Sequence, residues 1–165
     1  MKRAESLGES FGYAFQGLWY ALNTQRNLRI HLLAAVAILV LGWFVALPDA
    51  IFVNVLVAVV VVMVAEMINT AVESVVDLVS PEFHQLAKTA KDVAAGAVLL
   101  AAVGAVAVGV WSFGPILGDL PRRLMLRFDH EPRVAVMLLA LVGVVSGFVL
   151  WIPGQRVRPP GDRSS

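Results

Sequence analysis

Hydrophobic and polar positions divide the chain into long apolar stretches joined by short polar ones. Residues 5–29 carry Leu7, Phe11, Phe15, Leu18 and Leu22 at steps of three and four, which gathers them on one helical face. Ser6-x-x-Glu9 has the spacing of a capping box. The pattern predicts an amphipathic helix lying on a membrane surface. From Ile30 to Ala65 the only acid or base besides His31 is Asp49; Val93–Gly118 and Val134–Gln155 contain none. Uncharged runs of about 18 or more residues read as spanning helices.

The first span is Ile30–Leu47, followed by a Pro48-Asp49 turn. The second begins at Ala50, reaches the far interface near Asn69 and continues as a polar helix to about Val79. Ser80-Pro81-Glu82 has the cap, first-turn proline and early acid of a helix start, giving a short segment 80–91 before a third span at 92–113. Trp111 sits where an interfacial aromatic belongs. Residues 114–133, with their glycines, prolines and four arginines, read as a linker. An extra hydrophobic helix follows at 134–152, and 153–165 reads as a disordered tail. The fold class is all-α integral membrane: a surface helix, three spans and an additional C-terminal hydrophobic helix.

Composition strengthens this picture. Of 165 residues, 59% are hydrophobic and 15% charged, against roughly 45–50% and 25% in soluble domains. The net charge of +1 provides no basic face for nucleic acid, and the absence of cysteine excludes disulfides, thiol nucleophiles and thiolate metal sites. Met1-Lys2-Arg3 is followed by Glu5, Ser6, Glu9 and Ser10 rather than by an apolar run, so no cleaved signal is expected.

With the N-terminus inside, nine Lys and Arg face the cytoplasm: Lys2, Arg3, Arg26, Arg29, Lys88, Lys91, Arg156, Arg158 and Arg163. The outside then receives Arg122, Arg123, Arg127 and Arg133. Either that linker is an exception to the positive-inside rule, or 134–152 does not cross. Ala97, Ala101, Ala105 and Gly109 recur at fourfold spacing, as do Gly143 and Gly147, which permits close helix approach.

Candidate chemistry lies at the end of the second span. At 100° per residue, Glu66, Asn69, Glu73 and Asp77 fall within an arc of about 80° along about 16 Å of helix axis. Glu66 lies about one turn inside the expected boundary, Glu73 near the headgroups and Asp77 beyond them. An intramembrane carboxylate points to function by default, because burying it is costly. At that depth a carboxylate can act as general base toward a hydroxyl proton. Glu73 and Asp77, nearer water, offer hard oxygens to Mg²⁺. Lys88 and the pair Lys91-Asp92 follow across the short polar segment, and a lysine neutralises phosphate as a point charge. Together these describe phosphoryl transfer from a soluble donor to a lipid alcohol.

Glu66-x-x-Asn69-x-x-x-Glu73-x-x-x-Asp77, followed by Glu82-Phe83-His84 and Lys91-Asp92, resembles the signature of the small integral-membrane prokaryotic diacylglycerol kinases, which include the undecaprenol kinases. The resemblance covers roughly residues 6–112. It implies a three-span kinase core over residues 1–113, in a homotrimer with active sites shared between subunits. It also implies a multi-pass protein of the bacterial inner membrane whose active site faces the cytoplasm. ATP would be the phosphoryl donor, Mg²⁺ the cofactor, and diacylglycerol the acceptor, with undecaprenol as the alternative. By position, Glu66 would be the catalytic base, with Asn69 and Asp77 organising the site. Glu73 would hold metal and ATP phosphates, while Tyr13, Glu82, Phe83, His84, Lys91 and Asp92 would contact the nucleotide. Thr24–His31 resembles the Gram-positive and cyanobacterial branches.

Two positions depart from that pattern. Gln25 stands where well-known members carry a metal-binding glutamate; its carbonyl can still accept a metal or water contact, with one negative charge fewer. Ser6 replaces an arginine of some members, and residues 114–165 have no counterpart in the core. No G-x-x-x-x-G-K-[ST] occurs, so the surface helix and the polar segment must hold the nucleotide. A lipid phosphatase would need clustered arginine and histidine, and the three histidines are far apart in sequence. The alternative of another class is a small non-enzymatic transporter or assembly subunit using Glu66 as a proton or cation site. Such proteins place polar groups in several spans, which here are nearly free of them.

Overall fold

Ser6 opens the first helix as its spacing predicts, its hydroxyl oxygen accepting the Glu9 backbone N–H at 3.2 Å. The computed structural model describes residues 6–151, and these are helical apart from short turns. The helices are α1 (Leu7–Thr24), α2 (Arg26–Phe44), α3 (Asp49–Val79), α4 (Gln85–Phe113), α5 (Leu120–His130) and α6 (Pro132–Trp151), with a 3-10 helix at Gly114–Asp119. Among the described residues, three helices are long and apolar enough to cross a membrane: α2, α3, and α4 with its continuation. The fold is that of an integral membrane protein.

The surface helix ends sooner than its periodicity suggests, at Thr24 rather than near residue 29. Gln25 takes an extended conformation between α1 and α2 while its backbone N–H still bonds Ala21 O at 2.8 Å. Leu28, 1% exposed, therefore packs as part of α2. Along α1, Leu7, Phe11, Phe15 and Leu18 stay exposed, as suits a helix whose apolar face meets lipid.

At its far end α2 turns into α3 through a Schellman motif. Ala46 N–H bonds Trp43 O at 3.1 Å, Leu47 N–H bonds Gly42 O at 3.0 Å, and Ala46 holds φ at 51°. A Cβ on Gly42 would come within 3.0 Å of Leu47 Cδ1 and 3.3 Å of Phe52, so glycine is what allows the turn to close on the helix. Val45, Leu47, Val55 and Phe113 form the buried cluster at this end, with Phe52, Leu120 and Leu124 packed around it.

One local expectation is corrected. Ser80-Pro81 does not start a helix: the Ser80 hydroxyl donates to Glu82 O at 3.1 Å, and the helix begins at Gln85, where the His84 imidazole Nδ1 accepts the Leu86 N–H at 3.2 Å. The polar segment and the third span are then one continuous helix, packed extensively on α3. Residues 114–133, read as a linker with turn residues, are themselves mostly helical. Pro115 and Pro121 sit in the first turns of their helices, where the missing N–H costs nothing.

That second helix, α5, is amphipathic. Phe128 meets Phe44 edge-on at 5.5 Å between ring centroids, and Arg123 Nη1 donates to Val45 O at 3.4 Å. From there α6 runs back along α2, lining a groove with Ala37, Leu41 and Phe44; Ala135 is 1% exposed. Gly143 and Gly147 lie exposed on α6, while Ala101, Ala105 and Gly109 are half-buried on α4. The tail at 153–165 lies outside the described residues.

Candidate functional site

Glu66, Asn69, Thr70, Glu73 and Asp77 of α3 each meet a group from another part of the chain or from the next turn. Deepest is Glu66, 2% exposed, whose Oε1 lies 3.2 Å from His31 Nε2 on α2. The contact is off the hydrogen-bond axis, so Oε1 has no hydrogen-bonded partner. One turn further on, Thr70 satisfies its buried hydroxyl by donating to Glu66 O at 2.9 Å.

In the middle tier Glu73 accepts on both oxygens, from Asn69 Nδ2 at 3.0 Å and from Gln25 Nε2 at 3.2 Å. Gln25 reaches α3 because the break between α1 and α2 turns its side chain inward. Asn69 is 8% exposed, and its Oδ1 is buried without a partner.

The outer tier is polar and open. Lys91 donates to Asp77 across the α3–α4 junction, and Lys88 pairs with Asp92 one turn along α4 at 2.8 Å. The bond from Lys88 to Asp92, followed by the carboxylate's charge, raises the ammonium pKa above the ordinary lysine value. Asp77, Glu82, Phe83, His84, Lys88, Lys91 and Asp92 surround a cleft of about 310 Å³. Phe83 is 82% exposed there, a free aromatic face beside acidic and basic groups.

Of the residues singled out in the sequence, Gln25, Asn69 and Glu73 form one hydrogen-bonded group, and Asp77, Glu82, Phe83, His84, Lys91 and Asp92 share the cleft. Tyr13 stands exposed on α1, apart from both groups. His31, which the stripe reasoning missed, touches Glu66 and also lines an apolar groove of about 320 Å³ between α2, α3 and α4. A lone histidine opening an uncharged run was the signal for it.

The donor set fits Mg²⁺ in kind. Glu73 supplies a carboxylate, and the unpartnered Asn69 Oδ1 supplies a second hard oxygen beside it. No group of three or more His, Asp or Glu converges among the described residues; Mg²⁺ itself needs only one or two carboxylates, with waters and substrate phosphates completing its shell.

Fold and site together define a helical membrane protein with carboxylates running from buried Glu66 to exposed Asp77 along one helix. The prokaryotic diacylglycerol kinase family model matches residues 12–113, and the chain belongs to that family. A diacylglycerol kinase of Synechocystis is 53% identical over 108 residues, 64% of this chain and 61% of that protein's length. An undecaprenol kinase of Bacillus subtilis is 38% identical over 109 residues, covering 66% of this chain and 89% of that protein. A diacylglycerol kinase of Escherichia coli is 33% identical over 100 residues, 61% of this chain and 80% of its own length. No solved structure gives a significant match. The lipid-kinase resemblance of the sequence is thereby borne out.

Proposed function

We propose that this protein phosphorylates a membrane lipid alcohol with ATP, diacylglycerol being the first candidate acceptor and undecaprenol the alternative. The observation that carries the reading is Glu66, a buried carboxylate with an unpartnered oxygen beside a groove walled by aliphatic side chains. The lipid hydroxyl oxygen attacks the γ-phosphorus and forms the new P–O bond. Its proton passes to Glu66, and the bond from the γ-phosphorus to the bridging oxygen breaks, leaving ADP with that electron pair. Asn69 and Gln25 hold the Glu73 carboxylate by hydrogen bonds, while Lys91, Asp92, Asp77, Glu82, Phe83, His84 and Tyr13 bind or frame the nucleotide. Glu73 and Asn69 would hold Mg²⁺, which when bound neutralises charge on the phosphates.

Diacylglycerol takes precedence because the Synechocystis relative of that name is the more similar. The Bacillus subtilis relative, matched over 89% of its length, supports the polyprenol reading. The family resemblance further supports a homotrimer with shared sites, in the inner membrane, with the site facing the cytoplasm and the kinase core ending near residue 113.

Purified full-length protein given radiolabelled ATP and each lipid in turn tests the assignment. Glu66→Gln keeps the shape and removes the base, so turnover should fall by about 10²–10⁴-fold with unchanged assembly by size exclusion. Near-normal turnover in that variant, or no transfer by the wild type to either lipid, refutes the proposal.

A further inference from the structure

His31 is in the second turn of α2, and its imidazole has two neighbours of opposite character. On one side Nε2 lies 3.2 Å from Glu66 Oε1, in a contact that leaves this oxygen without a hydrogen bond. A carboxylate only 2% exposed is strongly disfavoured without a partner, and no other side chain is placed to supply one at Oε1 among the described residues. On the other side His31 lines the groove between α2, α3 and α4. Every other residue lining that groove is alanine, glycine, valine, isoleucine or methionine. A slot of that kind takes hydrocarbon, and any occupant with one polar end must place that end at His31.

The two observations converge. Val62 and Met63 line the groove and stand one helical turn from Glu66, so the groove leads to the carboxylate at the point where His31 meets it.

We propose that His31 is a positioning residue for the acceptor lipid. It holds the Glu66 carboxylate at the mouth of the groove, so that a hydrocarbon tail seated there presents its hydroxyl to Oε1. The inference rests on the reading of Glu66 as base and adds the residue that aims it. Nε2 is the polar atom placed closest to Oε1, 3.2 Å away, and this contact limits where the oxygen can sit. The lone pairs of Oε1, which accept no hydrogen bond, are then available to the substrate O–H.

Full-length protein in mixed micelles, with ATP and dioleoylglycerol varied separately, tests this through His31→Leu, His31→Gln and His31→Asn beside Glu66→Gln. Leucine keeps apolar bulk without a donor, glutamine carries an N–H to a similar reach, and asparagine carries one that falls short. Misplacing the carboxylate should lower kcat in His31→Leu on the order of 10–100-fold, with KM for ATP unchanged. His31→Gln should return to within about threefold of wild type while His31→Asn stays slow. His31→Leu within about threefold of wild type, or glutamine and asparagine variants equally slow, overturns the inference. Should His31→Leu fail to fold by thermal unfolding, the glutamine and asparagine pair decides alone. An active Glu66→Gln removes the base reading and this inference with it, whereas an inactive Glu66→Gln beside a fast His31→Leu removes only the role of His31.

Discussion

Replacing Gln25 with glutamate puts a second carboxylate where an amide now donates to Glu73 Oε2 at 3.2 Å. The change removes a hydrogen bond to a charged acceptor, worth about 1.5–3 kcal/mol. It also sets two negative charges against each other. At that separation the repulsion is about 1.3 kcal/mol in a water-like dielectric and about 5 kcal/mol at an effective dielectric of about 20. The metal-free variant should therefore melt below the wild type. A hard cation between the two carboxylates reverses the sign, because the repulsion becomes shared attraction. If the cation relieves only the lower figure, half-saturation by free Mg²⁺ falls about tenfold, since about 1.4 kcal/mol is one decade in an equilibrium constant. Two assays read this: thermal unfolding across a Mg²⁺ titration, and initial rates at saturating ATP and lipid with free Mg²⁺ varied. Lower metal-free stability with an unchanged Mg²⁺ requirement would show that no cation sits between positions 25 and 73. Unchanged stability as well would refute the Gln25–Glu73 contact itself.

Two further outcomes follow from the other end of the molecule. Deleting 119–165 should keep the proposed homotrimer and a substantial part of the activity, by size exclusion and labelled-ATP assay. It should also lower the melting temperature by roughly a few degrees through loss of the Phe44–Phe128 pair, worth about 0.5–1.5 kcal/mol, and of α6 along α2; a monomeric or inactive truncation would place α6 within the working enzyme. Ala46→Gly should raise the melting temperature by roughly 2 °C, because glycine adopts the left-handed φ of 51° without Cβ strain. A lower melting temperature in that variant would contradict the Schellman turn.

What the sequence made legible followed helical periodicity. Glu66, Asn69, Glu73 and Asp77 share a face of α3 because four polar residues at steps of three and four have no other option on a helix this long. The apolar runs marked α2, α3 and α4 for the same reason. Tertiary pairings were not legible. His31 and Glu66 are brought together only by the α2–α3 hairpin, and no local pattern encodes the partner. Capping was legible only where one candidate stood alone: Ser6 caps α1, but Ser80 and His84 both precede the third span, and the imidazole takes the role. The helicity of residues 114–133 was not legible because proline and glycine signal a break in isolation, whereas first-turn prolines start the helices there.

The length of α3 ties these tiers to the chemistry. Its 31 residues span about 46 Å at about 1.5 Å per residue, while the hydrocarbon core is about 30 Å thick. About 16 Å must therefore emerge, the equivalent of roughly the last 11 residues, which begin at Asn69. With the start of α3 at one interface, Glu66 would lie inside the other boundary, Glu73 outside it, and Asp77 a turn further into the polar region. Because one uninterrupted helix carries all three, the separation between the group at lipid-hydroxyl depth and those at phosphate depth is set by backbone geometry. It needs no closing loop to establish it. The partners contributed from elsewhere then act tier by tier: His31 on Glu66, Gln25 on Glu73, Lys91 on Asp77. A substitution at any one of them should perturb its own tier first. On the proposed roles, impaired acceptor positioning, metal requirement and nucleotide binding would be three separable defects along a single helix.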